Sequence, residues 1–333
     1  MDTVKAEFNF LKCIEASEPT YGFVLASDSV FFLAYITETK KLTIKSVFDH
    51  SYDFTADISD LIKLSPDADL IISYEKDSFY FFIVDSACYY VLPFDDLKKR
   101  KHRQLFRRQP DFLNYFTSVA YYSTGSDPPV LIHENLLIVP YRLRTAANEN
   151  LVDTYAYCLI DSFRCARPVL HRYANFPGYA YEHYDGLVNQ VYFLNRKRNQ
   201  FYFTNKKSDQ ISCYDLTSRT TSAFRIPETN HIAYGKSLDS SSIDYTREYM
   251  TRNDVNFSLF ADSAGRVYLI RKRPCPENNK VYELLCFTPD GQLIDKVLIR
   301  SNHFNVPLSF MYHEQIFIPN SADHTYFTVA LRL

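Results

Sequence analysis

The sequence predicts an all-β protein: a six-bladed β-propeller of four-stranded antiparallel blades, closed by the N-terminal strand pairing into the last blade. Three observations lead there. The apolar signal comes as runs of about four to eight residues, rich in Val, Ile, Phe and Tyr and ended by polar clusters, which is the strand signature. The runs fall into six groups spaced by ~50 residues, a period that reads as one propeller blade per group. The 333 residues include 27 Phe and 27 Tyr but no Trp and only 7 Gly. Aromatic rings suit pleated, half-buried surfaces, whereas phosphate-cradling loops need bare backbone.

The groups follow in order. Strands are expected at 23–25, 30–37 and 42–48, then at 70–74, 79–84 and 89–94. The third group is 119–122, 130–133, 136–142 and 155–161, and the fourth is 190–195, 200–205, 211–216 and 221–226. The fifth is 258–261, 267–271, 281–288 and 293–299. The sixth has three strands, 308–312, 315–319 and 326–331, and is one short. The partly alternating stretch 4–10 has no group of its own, so it is assigned to the sixth; closure would remove exposed strand edges. Turns are written into the junctions, as in Ser65-Pro66-Asp67-Ala68-Asp69, Asp262-Ser263-Ala264-Gly265 and Thr288-Pro289-Asp290-Gly291-Gln292. The longest helical candidate is 97–116, interrupted at Pro110. Two stacked β-sandwiches are the alternative architecture. No Pro/Gly-rich linker divides the groups, so 1–333 reads as one domain.

Bulk properties narrow the function. With 37 Lys and Arg against 39 Asp and Glu, the net charge is −2. That balance gives no global pull towards nucleic acid or an anionic membrane. No run approaches the roughly 20 apolar residues needed to cross a bilayer. The first residues lack the apolar core of a signal peptide, so the chain is either cytoplasmic or a processed product. The seven cysteines contain no CxxC pair, against a zinc ribbon or dense disulfide framework. Cys158 and Cys165 are the pair considered for a single disulfide. The sequence has no GxGxxG, Walker loop, GxSxG or HExxH, and its nine histidines show no metal-ligand spacing. No cofactor and no metal are expected.

The candidate binding residues lie in two segments. Lys98, Lys99, Arg100, Lys101, Arg103, Arg107 and Arg108 form a basic run suited to an anionic partner, or else a solvated connection between blades. Tyr179, Tyr181, His183 and Tyr184 follow Pro177-Gly178 and could stack on a sugar or peptide. Shorter basic triplets stand at Arg196-Lys197-Arg198 and Arg271-Lys272-Arg273 and read first as turn residues. The acid pairs Asp67/Asp69 and Asp95/Asp96 read as turn residues rather than general acids and bases. No catalytic residue is assigned.

Several stretches carry a family resemblance. They are Pro168-Val169-Leu170 through Pro177-Gly178-Tyr179, and Tyr192-Phe193-Leu194 through Tyr214-Asp215-Leu216. Ser258-Leu259-Phe260-Ala261-Asp262 running into Arg266-Val267-Tyr268-Leu269-Ile270-Arg271 and Pro274 belongs with them. The chain resembles a six-bladed β-propeller family of Bacteroidetes cell-envelope lipoproteins, a domain of unknown function. The resemblance implies a secreted protein, held at the membrane only through a lipid anchor that this chain lacks, with no enzyme activity to carry over. The basic run from Lys98 departs from the family pattern.

The expectation is therefore a non-catalytic binding or scaffolding propeller of the cell envelope, with a protein or glycan ligand at one mouth of the ring. The alternatives are a glycan-acting hydrolase or lyase with its site in the channel, and an intracellular interaction propeller that binds an anionic partner.

Overall fold

A computed structural model of the chain describes residues 3–4, 20–26, 29–36, 41–46, 54–57, 70–75, 78–83, 88–93, 107–108, 131–147, 150–161, 169–172, 190–229, 249–275, 280–300, 302–320, 322 and 325–330. The described strands form six four-stranded antiparallel sheets, and five are built from strands consecutive in sequence. Sheet 1 is β2 (Thr20–Ala26), β3 (Ser29–Ile36), β4 (Lys41–Ser46) and β5 (Phe54–Asp57). Sheet 2 is β6 (Leu70–Glu75), β7 (Ser78–Ile83), β8 (Cys88–Pro93) and β9 (Arg107–Arg108). Sheet 3 is β10 (Leu131–His133), β11 (Leu136–Ala147), β12 (Asn150–Asp161) and β13 (Val169–Arg172). Sheet 4 is β14 (Gln190–Asn195), β15 (Gln200–Asn205), β16 (Gln210–Asp215) and β17 (Thr220–Arg225). Sheet 5 is β18 (Val255–Ala261), β19 (Val267–Lys272), β20 (Val281–Phe287) and β21 (Leu293–Arg300). Sheet 6 is β22 (Phe310–Tyr312), β23 (Gln315–Asn320), β24 (Thr325–Ala330) and the chain's first strand, β1 (Thr3–Val4). Thr3 lies opposite Phe327 and Val4 opposite Tyr326.

The chain is thus all-β, and its burial explains the sequence pattern. Every residue of β18 and β19 is buried, so neither strand alternates between a covered and an exposed face, and the polar Asn256, Ser258, Arg271 and Lys272 are buried with the apolar residues. The outer strands β17 and β21 are largely exposed and carry more polar residues. One core joins Leu131, Ile138 and Leu159 of sheet 3 to Tyr192, Leu194, Phe201 and Phe203 of sheet 4. A second joins Val191, Tyr202 and Ile211 of sheet 4 to Leu259, Leu269 and Phe287 of sheet 5. A third joins Phe257, Phe260 and Ile270 of sheet 5 to Met311, Ile316 and Ile318 of sheet 6. Each sheet from 3 to 6 therefore packs its face on the next.

The aromatic excess serves these junctions. Phe193 of sheet 4 meets Phe260 of sheet 5 edge to face at 5.9 Å, and Phe224 meets Phe287 across the same junction at 5.3 Å. Lys206 lies over the Phe257 ring at 5.6 Å. Pairs in this geometry add roughly 0.5–1.5 kcal/mol beyond their buried area.

The triplet Arg271-Lys272-Arg273 belongs to the interior, as the turn-residue reading of it did not anticipate. Arg271 is fully buried, and its Nε donates to Glu283 Oε2 at 2.5 Å while Nη1 donates to the Pro227 carbonyl at 2.9 Å. Lys272 donates to the Met250 carbonyl, and burial pulls its pKa down. Arg273 Nη1 reaches Asp254 Oδ2 at 3.1 Å and the Glu228 carbonyl at 3.1 Å. These residues tie sheet 5 to the segment that follows sheet 4.

Four expectations change. Sheets 1 and 2 gain β5 and β9 as fourth strands. β9 places strand inside the expected helix 97–116, because Arg107 and Arg108 pair with Tyr89 and Cys88. Sheet 3 takes β13 as its fourth strand, while 119–122 lies outside the described residues. The β11–β12 hairpin runs on to Ala147 and Asn150 through residues too polar to read as strand. Cys158 sits in β12, and Cys165 lies outside the described residues.

Candidate functional site

The turns that join the first and second strands of sheets 3 to 6 place a set of polar side chains at one end of the sheets. Such tight turns need backbone with positive φ, normally supplied by Gly or Asn. Here Glu134 (φ 54°), Asn199 (54°), Gly265 (87°), His313 (46°) and Glu314 (58°) supply it. Three of these four turns therefore do without glycine. Non-glycine residues in this region cost about 1–2 kcal/mol each, and such costs concentrate at functional sites. His313 and Glu314 are the two central residues of the β22–β23 turn, with both φ positive as a type I′ turn requires.

Cross-sheet contacts hold the turns in register. The Glu134 N–H donates to Glu75 of sheet 2. His133 Nε2 lies 2.8 Å from Asn199 Oδ1, and Arg196 Nη2 donates to the Ile132 carbonyl at 3.2 Å, linking sheets 3 and 4. Asn195 Nδ2 donates to the Asp262 carbonyl at 2.7 Å and Arg198 Nη1 to the Ala264 carbonyl at 3.3 Å, linking sheets 4 and 5. The Ser263 N–H donates to Glu314 at 3.2 Å (Oε1) and 3.3 Å (Oε2), linking sheets 5 and 6. The buried Asp262 anchors its own turn by accepting from Arg266 N at 2.8 Å, Arg266 Nε at 2.6 Å and Tyr268 Oη at 2.9 Å. Burial, and next the Asp262 carboxylate, push the Tyr268 hydroxyl far above its ordinary pKa, so it stays a donor.

Between these turns lies a cleft of about 350 Å³ formed by the ends of β14, β18 and β22. Its apolar wall is Phe193, Leu194, Ala261, Met311 and Tyr312. Its polar side presents Arg196, Lys197, Ser263, His313 and Glu314. The triplet at 196–198 thus divides its labour. Arg196 and Arg198 cap carbonyls of neighbouring sheets, whereas Lys197 keeps its side chain 77% exposed, with Nζ 4.0 Å from Glu314 Oε1. An apolar wall facing a few convergent polar groups is the usual make-up of a small-ligand site.

Of the residues nominated from sequence, Lys98, Lys99, Arg100, Lys101, Arg103, Tyr179, Tyr181, His183 and Tyr184 lie outside the described residues. Arg107 and Arg108 form β9. Among the described residues no group of three or more His, Cys, Asp or Glu is placed to hold a metal ion. Tyr312, His313 and Glu314 were not singled out from the sequence. The available signal was a His-Glu pair where a hairpin of this length favours Asn-Gly.

No protein-family model and no curated protein matches the sequence. Solved structures do match the fold. A member of the duf4221 family from Bacteroides vulgatus aligns with 95% of this chain and 93% of its own at a TM-score of 0.63 and 10% identity. AztD from Citrobacter koseri aligns over 94% of this chain and 86% of its own (TM-score 0.44, 8% identity). A calcium-binding protein, regucalcin, from Agrobacterium tumefaciens aligns over 93% and 89% (TM-score 0.40, 8% identity). At these identities the likeness is one of fold alone.

Proposed function

We propose that the six sheets are the blades of a single six-bladed β-propeller spanning 1–333, and that β1 closes its ring. On this reading the protein is a non-catalytic binding module of the bacterial cell envelope whose ligand sits in the cleft between β14, β18 and β22. The carrying observation is that cleft: three successive sheets each contribute the end of their first strand, and strained turn residues line it. Face-to-face packing from sheet 3 through sheet 6 supports the propeller arrangement, since each sheet buries apolar surface against the next. The envelope assignment follows the family resemblance of the sequence, to which the Bacteroides vulgatus structure adds a likeness of fold.

The test is to titrate soluble glycan fragments, short peptides and small organic acids into the chain and recover each ligand afterwards. Saturable binding, with the ligand chemically unchanged and the affinity reduced by Tyr312→Ala, is expected. Formation of a product would refute the non-catalytic reading. Recovery of the protein from the cytosol of its native cells would refute the envelope assignment.

A further inference from the structure

We infer that the cleft selects an anionic ligand: a carboxylate carried on a compact apolar body, with the acid group set against Lys197. The inference rests on the cleft being the binding site. The charge of the described lining points this way. Arg196 and Lys197 stand against the single carboxylate of Glu314, and Arg198 adds a third cation on the same turn. Glu314 is already engaged, since both its oxygens face the Ser263 N–H at 3.2 and 3.3 Å. Lys197 Nζ touches Glu314 only at the outer limit of an ion pair, 4.0 Å, and 77% of its side chain is open to solvent. Its three donors are thus presented at the mouth, where a carboxylate would gain charge-assisted hydrogen bonds.

The rest of the cleft sets the size and body of the ligand. A volume of about 350 Å³ lies at the small end for ligand pockets, which run from roughly 300 to 1,000 Å³. Phe193, Met311 and Tyr312 give an apolar and aromatic surface for the remainder. A single acid group on an aryl or alkyl frame satisfies both parts. A long uncharged glycan would leave the cation unmatched and the apolar wall uncovered.

The cleft contains its own reporter. The chain has only Met1, Met250 and Met311, so ¹³C-methyl labelling of methionine gives a sparse spectrum in which Met311 reads the cleft. The probes are 4-phenylbutyrate and its neutral amide, 4-phenylbutyramide, titrated to about 10 mM, which covers millimolar affinities. The acid is expected to shift the Met311 methyl and to bind about two- to fivefold more tightly than the amide, the scale of an ion pair made by an exposed lysine. Lys197→Gln should weaken the acid about two- to fivefold and leave the amide unchanged, whereas Glu314→Gln should tighten the acid by about twofold. Lys41→Gln, an exposed change at the start of β4, should alter neither. Equal shifts from acid and amide would overturn the anion preference while the cleft remained a binding site. Silence of Met311 to both probes would overturn the cleft itself. Tighter binding of the acid by Lys197→Gln, or weaker binding of it by Glu314→Gln, would also refute the inference.

Discussion

Replacing Gly291 by Ala tests whether the sheets press on one another as described. Gly291 lies in the β20–β21 turn at φ 88°, with its N–H donating to the Thr288 carbonyl at 3.0 Å. An added Cβ would lie 2.3 Å from Cβ and 2.4 Å from Cγ of Phe224, which belongs to β17 of the neighbouring sheet. Phe224 Cβ is fixed to the backbone, so no rotamer change removes that contact. The left-handed backbone costs about 1–2 kcal/mol for any L side chain, and forced overpacking costs about 1–3 kcal/mol more. A loss of about 3 kcal/mol is expected. At roughly 2.1 cal/mol/K per residue, unfolding of all 333 residues as one unit carries ~0.7 kcal/mol/K, so Tm should fall by about 4 °C. Gly265 provides the internal comparison. It has the same sign of φ, 87°, but its added Cβ would meet only the far end of Arg198, at 2.9 Å from Nε. That side chain can move, so Gly265→Ala should cost only the backbone part, about 1–2 kcal/mol. Urea unfolding of both variants at matched m-values is the assay. Equal losses for the two glycines would refute the claim that sheets 4 and 5 are locked against each other through Phe224.

Three further outcomes are expected. Arg271→Met should destabilise by about 3 kcal/mol, because Glu283 would stay buried with only Arg273 at 3.6 Å and Lys296 at 3.5 Å; adding Glu283→Leu should restore much of the loss in urea melts. Burial raises the Cys213 thiol from 9.0 to about 11. A raised folded pKa gives stability that is complete below pH 9 and lost between pH 9 and 11, so about 2 kcal/mol should vanish by about pH 10.5, and Cys213→Ala should flatten that part of the urea-midpoint profile. Deleting residues 1–10 removes β1 and leaves β24 as an open edge, so light scattering should reveal self-association; a monomer of unchanged Tm would refute closure of the ring.

Much of the fold was legible because the inner strands advertise themselves. Runs such as Gln190–Asn195, Gln200–Asn205 and Val267–Lys272 are dense in β-branched and aromatic residues, since both their faces are covered by neighbouring sheets. The fourth strands were harder to read. β9 is only Arg107–Arg108, and β13 is only Val169–Arg172. The outer strands β17 and β21 are largely exposed, so nothing forces an apolar pattern on a fourth strand, and in β9 a basic pair completes a sheet through backbone pairing. The β11–β12 hairpin extends past Arg142 by main-chain pairing, its register continuing through Arg144 opposite Asp153.

The cleft was illegible for a different reason. Its walls come from positions 193–197, 261–263 and 311–314, three short segments separated by some fifty residues or more, and each looks like an ordinary hairpin turn. Charge density misled in the same way. Two basic triplets of the same length have opposite fates: Arg271 and Lys272 are buried in the junction between sheets, whereas Lys197 points to solvent beside Glu314. The distinction lies in position along the hairpin. Residues 271–272 end the fully buried strand β19, where a cation must find a carboxylate or carbonyl partner to offset desolvation. Residues 196–198 occupy a turn, where only those cations that reach a neighbouring carbonyl are tied down. Position along the hairpin, not charge density, therefore separates the largely buried triplet at 271–273 from the exposed one at 196–198.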